Sequence, residues 1–220
     1  MLGMPHLAGS FDRDLPGLPR GRGSLAADEV LDAQRKRILR AAISSTADKG
    51  IAATTVADIV GRARVSRQAF YKQFESKDAC LIAAIDAGIE SILSAITTTQ
   101  DSSADLSLRE QLSAVIGRYL EKCSAEPEFV RAWVLDLPVA GAAGIAKRNE
   151  YVELLADTLR SGFRHAPQAP NREMFIAAIG GCYELFYRHV SSGAPEPYTS
   201  LHAPILLFLE RILDPTTDHS

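Results

Sequence analysis

Apolar residues recur every three or four positions along most of this chain, and no segment alternates with period two. That spacing belongs to helices packed through one face, so it predicts an all-α fold of about nine helices and no sheet. From Asp32 the pattern turns helical, with Ile38, Ala41, Ala42 and Ser45 on one face and Lys49-Gly50 as a C-terminal stop. A short helix follows with Val56, Ile59 and Val60 inward, and Thr55 and Asp58 have capping-box spacing. Ser66 suits the N-cap of a helix through Gln73, on which Phe70 and Phe74 lie one turn apart. Ser76 then caps a long helix to about Thr97, striped by Cys80, Leu81, Ala84, Ile85, Ile89, Ile92 and Leu93. Thr98 to Asp105 reads as a polar break.

The remainder reads as helix too. Leu108 to Cys123 buries Leu112, Val115, Ile116, Tyr119 and Leu120. Pro127 sits near a helix start, Phe129, Val130 and Trp133 follow, and Pro138 ends that segment. Ala143 to His165 carries Tyr151, Leu154, Leu155, Leu159 and Phe163, with Pro167 and Pro170 beyond it. Arg172 to Val190 is apolar nearly all round, as a helix covered on more than one side would be. A last helix spans Leu201 to Leu213, with Pro204 in its first turn. Two strongly apolar helices at the end of one small domain suggest pairing with a second copy, hence a homodimer.

Composition narrows the class. At 46% hydrophobic and 23% charged, the 220 residues suit a soluble globular chain. No unbroken apolar run approaches the roughly 20 residues of a membrane span. The Gly- and Pro-rich residues 1–27 lack the apolar centre of a secretory signal and read as a disordered arm. Cys80, Cys123 and Cys182 are odd in number and far apart, which points to a reducing, cytoplasmic setting. No Cys or His pair has metal-ligand spacing, so neither a metal nor a cofactor is expected. No phosphate-binding glycine loop, HExxH or GxSxG is present, and an enzyme has nothing to rest on.

Charge changes the picture more. The net charge is −3, yet residues 28–80 hold ten Lys/Arg against seven Asp/Glu, and residues 81–220 hold eleven against eighteen. A small basic module therefore precedes an acidic body. Within 62–77 stand Arg62, Arg64, Arg67, Lys72 and Lys77 against Glu75 alone. Two short helices with basic residues on the second suit a helix-turn-helix, whose second helix lies in the major groove of double-stranded DNA. Ser66, Arg67, Gln68 and Ala69 would then face base edges: Arg67 toward guanine, Gln68 toward adenine, Ala69 toward a thymine methyl. Tyr71 and Lys72 would reach phosphates, and Lys77 opens the next helix, where amides and the helix dipole attract phosphate.

These residues stand in a recurrent order. RILRAA at 37–42, KG at 49–50, TTVADIV at 54–60, VSRQAFYKQF at 65–74 and SKDACL at 76–81 lie in register over Gln34 to Leu81. This stretch resembles the N-terminal domain of TetR-type transcriptional regulators. The resemblance implies a helix-turn-helix domain over 28–80 and a helical effector-binding and dimerisation domain over 81–220. It also implies a palindromic operator and repression relieved by a small molecule. By motif position, the family's DNA contacts fall on Thr55, Ser66, Arg67, Gln68, Tyr71, Lys72 and Lys77.

The chain departs from the pattern at Arg64, where the family favours Gly. A residue with a Cβ there costs roughly 1 kcal/mol if φ is positive. Arg64 either points to solvent or adds a phosphate contact that offsets the strain. Arg20 and Arg22 could enter the adjacent minor groove. An effector pocket would lie among Tyr119, Phe129, Trp133, Phe163, Phe175 and Tyr183, with Trp133 foremost because its indole N–H needs a partner when buried. The alternative is an effector-binding module that has lost its operator, with Arg64 as the lesion.

Overall fold

The structure, a computed structural model, describes residues 27–163, 169–193 and 196–213. Among the described residues there are nine α-helices and no strand. They are α1 (Ala27–Lys49), α2 (Val56–Ala63), α3 (Arg67–Tyr71), α4 (Lys77–Ser102), α5 (Leu108–Ala125), α6 (Pro127–Arg131), α7 (Ala142–Ser161), α8 (Arg172–Ser191) and α9 (His202–Leu213). A π-helical turn, Ala132–Asp136, continues α6, and a 3-10 turn, Tyr198–Leu201, leads into α9. Apart from Ala27, which opens α1, the expected arm with Arg20 and Arg22 lies outside the described residues. So do the expected helix end at His165 and the break at Pro167.

Three boundaries differ from the sequence reading. α1 begins at Ala27, before Asp32: Asp28 and Glu29 favour the first turn, and Asp32 pairs with Lys36 at 2.7 Å. α3 stops at Tyr71, two residues short of Gln73, because Gln73 N–H turns to the Phe70 carbonyl at 2.9 Å. α4 runs on to Ser102 through the expected break. The hydroxyls of Thr97, Thr98 and Thr99 bond back to the carbonyls four residues earlier at 2.8–3.0 Å, so a polar stretch remains helical. By length and composition α4 could also cross a membrane, which a search for unbroken apolar runs overlooks. Its stripe is instead buried in protein at Cys80, Leu81, Ala84, Ile85, Ile89, Ile92 and Ile96.

The chain divides into two compact units between Gly88 and Ile89, inside α4. In the first, Ile38, Ala41, Ala42, Ile59, Phe70 and Ile85 are almost wholly buried. Phe70 and Phe74 stack obliquely with centroids 5.7 Å apart, and Arg35 covers Phe74 at 4.7 Å.

The second unit is a helical body. α8 packs on α7, and α5 on α9. The Arg172 guanidinium grips Asp157 through two bonds of 2.9 and 3.0 Å, and Arg109 reaches Glu210 on α9 at 2.6 Å. His202 Nε2 lies 3.1 Å from the Ser113 carbonyl. Gln100 donates to the Thr158 and Leu159 carbonyls near the end of α7. Leu154, expected inside, is 41% exposed, because it falls on the outer edge of α7.

The two glycines of α8 have different surroundings. A Cβ at Gly181 would stand 2.5 Å from the Phe208 ring, whereas one at Gly180 meets nothing within 4 Å. Gly181→Ala should therefore destabilise the protein by about 1–3 kcal/mol as Phe208 is displaced. Gly117→Ala, on α5, makes only ordinary contacts with His202 and should stabilise by about 0.5–1 kcal/mol. Denaturant unfolding of both variants checks the contrast.

Candidate DNA interface and effector cavity

The helix-turn-helix is built from local caps. Thr55 Oγ1 accepts from the Asp58 amide at 3.2 Å, and Asp58 Oδ2 accepts from the Thr55 amide at 2.9 Å, which closes the capping box at the start of α2. Lys49 Nζ contacts the same carboxylate at 2.5 Å. Lys49 and Thr55 together hold the Asp58 carboxyl down at about 2.

α2 ends at Arg64, with φ 54° and ψ 45°. Among the described residues Arg64 alone has positive φ without being glycine. The Val65 amide reaches back to the Val60 carbonyl at 3.1 Å and the Arg64 amide to Gly61 at 3.3 Å. This is a Schellman closure, which requires one left-handed residue. The demand read from the sequence is therefore real, and an arginine meets it. Its side chain is exposed beside a shallow groove that also touches Lys49 and Arg62.

Ser66 caps α3 by accepting from the Ala69 amide at 3.0 Å, and its hydroxyl hydrogen remains available to an acceptor. Arg67, Gln68, Tyr71 and Lys72 are exposed, Ala69 is half-buried, and Phe70 is fully buried behind them. Tyr71 is 56% exposed, with its ring edge-on to Phe70 at 5.3 Å. An apolar anchor thus holds a polar, basic face outward. Thr55 is exposed as well, its hydroxyl shared with Asp58 at 2.8 Å.

Lys77 is placed differently from the sequence reading. Its ammonium turns back onto the α1–α2 loop and donates to the carbonyls of Ile51 at 2.7 Å and Thr54 at 2.8 Å. In this structure its side chain ties α4 to that loop, and only its backbone remains at the helix start.

The body contains a narrow apolar cavity. Tyr119, Trp133 and Tyr183 line it, together with Val115, Ile116, Leu155, Ile179, Cys182, Phe186, Ile205 and Leu209. Phe129, Phe163 and Phe175 are not among its walls. Phe129 is 1% exposed, and Phe163 packs edge-on against Phe175 at 5.1 Å, so these three rings fill core. Sequence spacing marked them as apolar and helical, but only tertiary contacts distinguish a wall from a core position.

The polar groups of the cavity face one another. Burial raises the Tyr119 hydroxyl pKa well above the ordinary tyrosine value, with Cys123 and Trp133 beside it. The Tyr183 hydroxyl donates to the Val134 carbonyl at 2.8 Å, within the π-helical turn. That turn is closed by the Leu137 amide on the Ala132 carbonyl. Widened turns of this kind often occur where a helix lines a site. Burial pushes the thiols of Cys123 and Cys182 to about 12, so both stay protonated and unreactive near neutral pH.

Two outcomes follow from the local geometry. Arg64→Gly should stabilise the DNA-free protein by about 1 kcal/mol by relieving the left-handed strain; a lower unfolding midpoint would contradict this. The Asp58 carboxyl has a depressed pKa when folded, so its contribution is complete above the unfolded value of 3.8 and disappears as pH falls through about 2. Carbon-detected NMR titration of Asp58 should show a midpoint near 2, shifted upward in Lys49→Gln.

With this geometry in place, comparison with known proteins is informative. Residues 38–84 match the family of bacterial regulatory proteins, tetR family. A curated relative, the uncharacterised HTH-type transcriptional regulator YerO of Bacillus subtilis (strain 168), is 29% identical over 100 residues. That alignment covers 46% of this chain and 35% of the relative, so the chain spans about a third of the relative's length. Among solved structures, the fatty acid degradation regulator FadR of Bacillus halodurans superposes with a TM-score of 0.68 at 18% identity, over 84% of this chain and 97% of the other. FadR of Bacillus subtilis, solved in complex with stearoyl-CoA, gives 0.63 at 18% identity over 81% and 97%. The TetR-family regulator SCO4454 of Streptomyces coelicolor gives 0.63 at 18% over 90% and 98%. At these identities the structures share a fold. The sequence match falls on the same residues that build the capped turn and its basic helix, and on that ground residues 38–84 are identified as the N-terminal domain of the tetR family of bacterial regulatory proteins.

Proposed function

We propose that this DNA-binding transcriptional regulator is a homodimeric repressor, acting on the nucleoid in the cytoplasm and released from a palindromic operator by a small-molecule effector. The observation that carries the operator reading is the outward face of α3: Arg67, Gln68, Tyr71 and Lys72 all exposed on a helix anchored by buried Phe70. Arg67 and Gln68 read base edges, Ala69 meets a thymine methyl, and Ser66, Thr55, Tyr71 and Lys72 hold phosphates. Arg64 adds a phosphate contact from the turn. Lys77 contributes through its backbone amide and by bracing the loop before Thr55.

The dimer is supported by the uncovered side of α8 and α9. Met174, Tyr187 and Leu207 are exposed there, and Gly180 leaves open space for a close helix approach. A palindromic operator calls for two recognition helices about 34–36 Å apart, one turn of DNA, which a dimer supplies. The effector reading is supported by the apolar cavity, and by the stearoyl-CoA bound to a FadR of similar fold. An effector with a substantial apolar part fits such walls.

Selection of bound sequences from a random DNA pool tests this reading. It should yield a palindrome with half-sites one helical turn apart. Arg67→Ala should cost roughly 1–3 kcal/mol and relax one base position, whereas Arg64→Gly should lower the salt slope by about one. Failure to enrich any palindrome would favour a module without an operator, and an unchanged slope would remove Arg64 from the interface.

A further inference from the structure

The apolar cavity has a polar neighbour. A cleft open to solvent is lined by Ser124, Arg131, His189, Glu196 and Tyr198 among others. One face of α8 floors both spaces. Ile179, Cys182 and Phe186 look into the cavity, and His189 and Val190 into the cleft, at intervals of three and four residues. From Ile179 to Val190 this face extends about 16 Å at 1.5 Å per residue, so the combined space is long and narrow.

Aromatic side chains from the two linings meet. Phe186 on the cavity side and Tyr198 on the cleft side stack with centroids 5.8 Å apart and planes inclined by 21°. Tyr119, another cavity wall, meets Phe186 edge-on at 5.3 Å. Rotating Tyr198 and Phe186 would join the two spaces without breaking a helix.

The cleft also holds an available cation. Arg131 is exposed and makes no hydrogen bond or ion pair with the described residues. His189 Nε2 is occupied by the Glu196 carbonyl at 2.9 Å, and the Glu196 carboxylate is the acidic group of this lining. Arg148, beside the cavity wall at Tyr183, is already engaged: it lies 4.3 Å over the Tyr183 ring and bonds Asn149. A free guanidinium is a fork for carboxylate or phosphate oxygens. The cavity walls offer an anion no cation, and the cleft offers an alkyl chain no depth.

We propose that cleft and cavity form one site for an amphipathic anion. A linear apolar chain fills the cavity, its carboxylate or phosphate end rests on Arg131, and the chain passes where Phe186 and Tyr198 now stack. This rests on the reading of the cavity as the effector site.

Trp133 is the chain's single tryptophan and a cavity wall, so its fluorescence reports occupancy. The full-length protein is titrated with decanoate, decyl phosphate and decanol. Both anions should bind roughly ten-fold more tightly than decanol, and their ranking separates a carboxylate from a phosphate end. Arg131→Gln should abolish the anion advantage and leave decanol unchanged, and Ile179→Phe, which fills the cavity without adding a second tryptophan, should weaken binding of all three. If decanol binds as tightly as the anions, or Arg131→Gln keeps their advantage, the proposal fails while the apolar effector site stands. If none of the three perturbs Trp133, both fail.

Discussion

The helix-turn-helix end of this protein depends on how the chain leaves α2. One residue must adopt a left-handed conformation so that the amides of Arg64 and Val65 can return to the carbonyls of Gly61 and Val60. That closure satisfies the end of one helix and directs the chain into the N-cap of the next. Arg64 pays a small conformational cost there, and the neighbouring caps hold the arrangement from both sides. Thr55 and Asp58 close the start of α2, and Ser66 closes the start of α3. Because α3 has only five residues, it could not persist as an isolated helix. Phe70 and Phe74 hold it against the core, and the exposed basic face follows from that anchorage.

The body is organised by a different requirement. Its helices enclose more apolar surface than they fill. Phe129, Phe163 and Phe175 pack into core, while Tyr119, Trp133 and Tyr183 stand around the unfilled space. The latter three carry polar atoms; Tyr119 lies beside Trp133, and the Tyr183 hydroxyl donates to the Val134 carbonyl. The interior surface is left apolar as a result. Gly181 serves the same packing by admitting the Phe208 ring, whereas Gly180 faces outward on a side of α8 that the protomer leaves uncovered.

Much of this was legible in the sequence because the signals were local. Capping boxes, N-caps and glycine stops act over three to five residues, and so do the apolar periods that placed Ile38, Ala41, Ala42, Phe70 and Phe74 inside. The positive φ at residue 64 was legible for the same reason. Errors arose where a local signal had two meanings. A threonine run read as a break because hydroxyls usually solvate loops, but in α4 they bond their own helix. The start of α1 was missed because its first turn is polar.

The sequence by itself determined the all-α class, the capped helix-turn-helix and the identity of the basic residues on α3, because each rests on contacts between near neighbours. Tertiary structure alone decided that the Lys77 ammonium braces a loop more than twenty residues away, and which aromatic rings became cavity walls. It also decided that Phe186, on the wall of the apolar cavity, stacks on Tyr198, on the wall of the cleft that holds Arg131. Those outcomes depend on the meeting of helices distant in the chain, which periodicity along one helix does not encode.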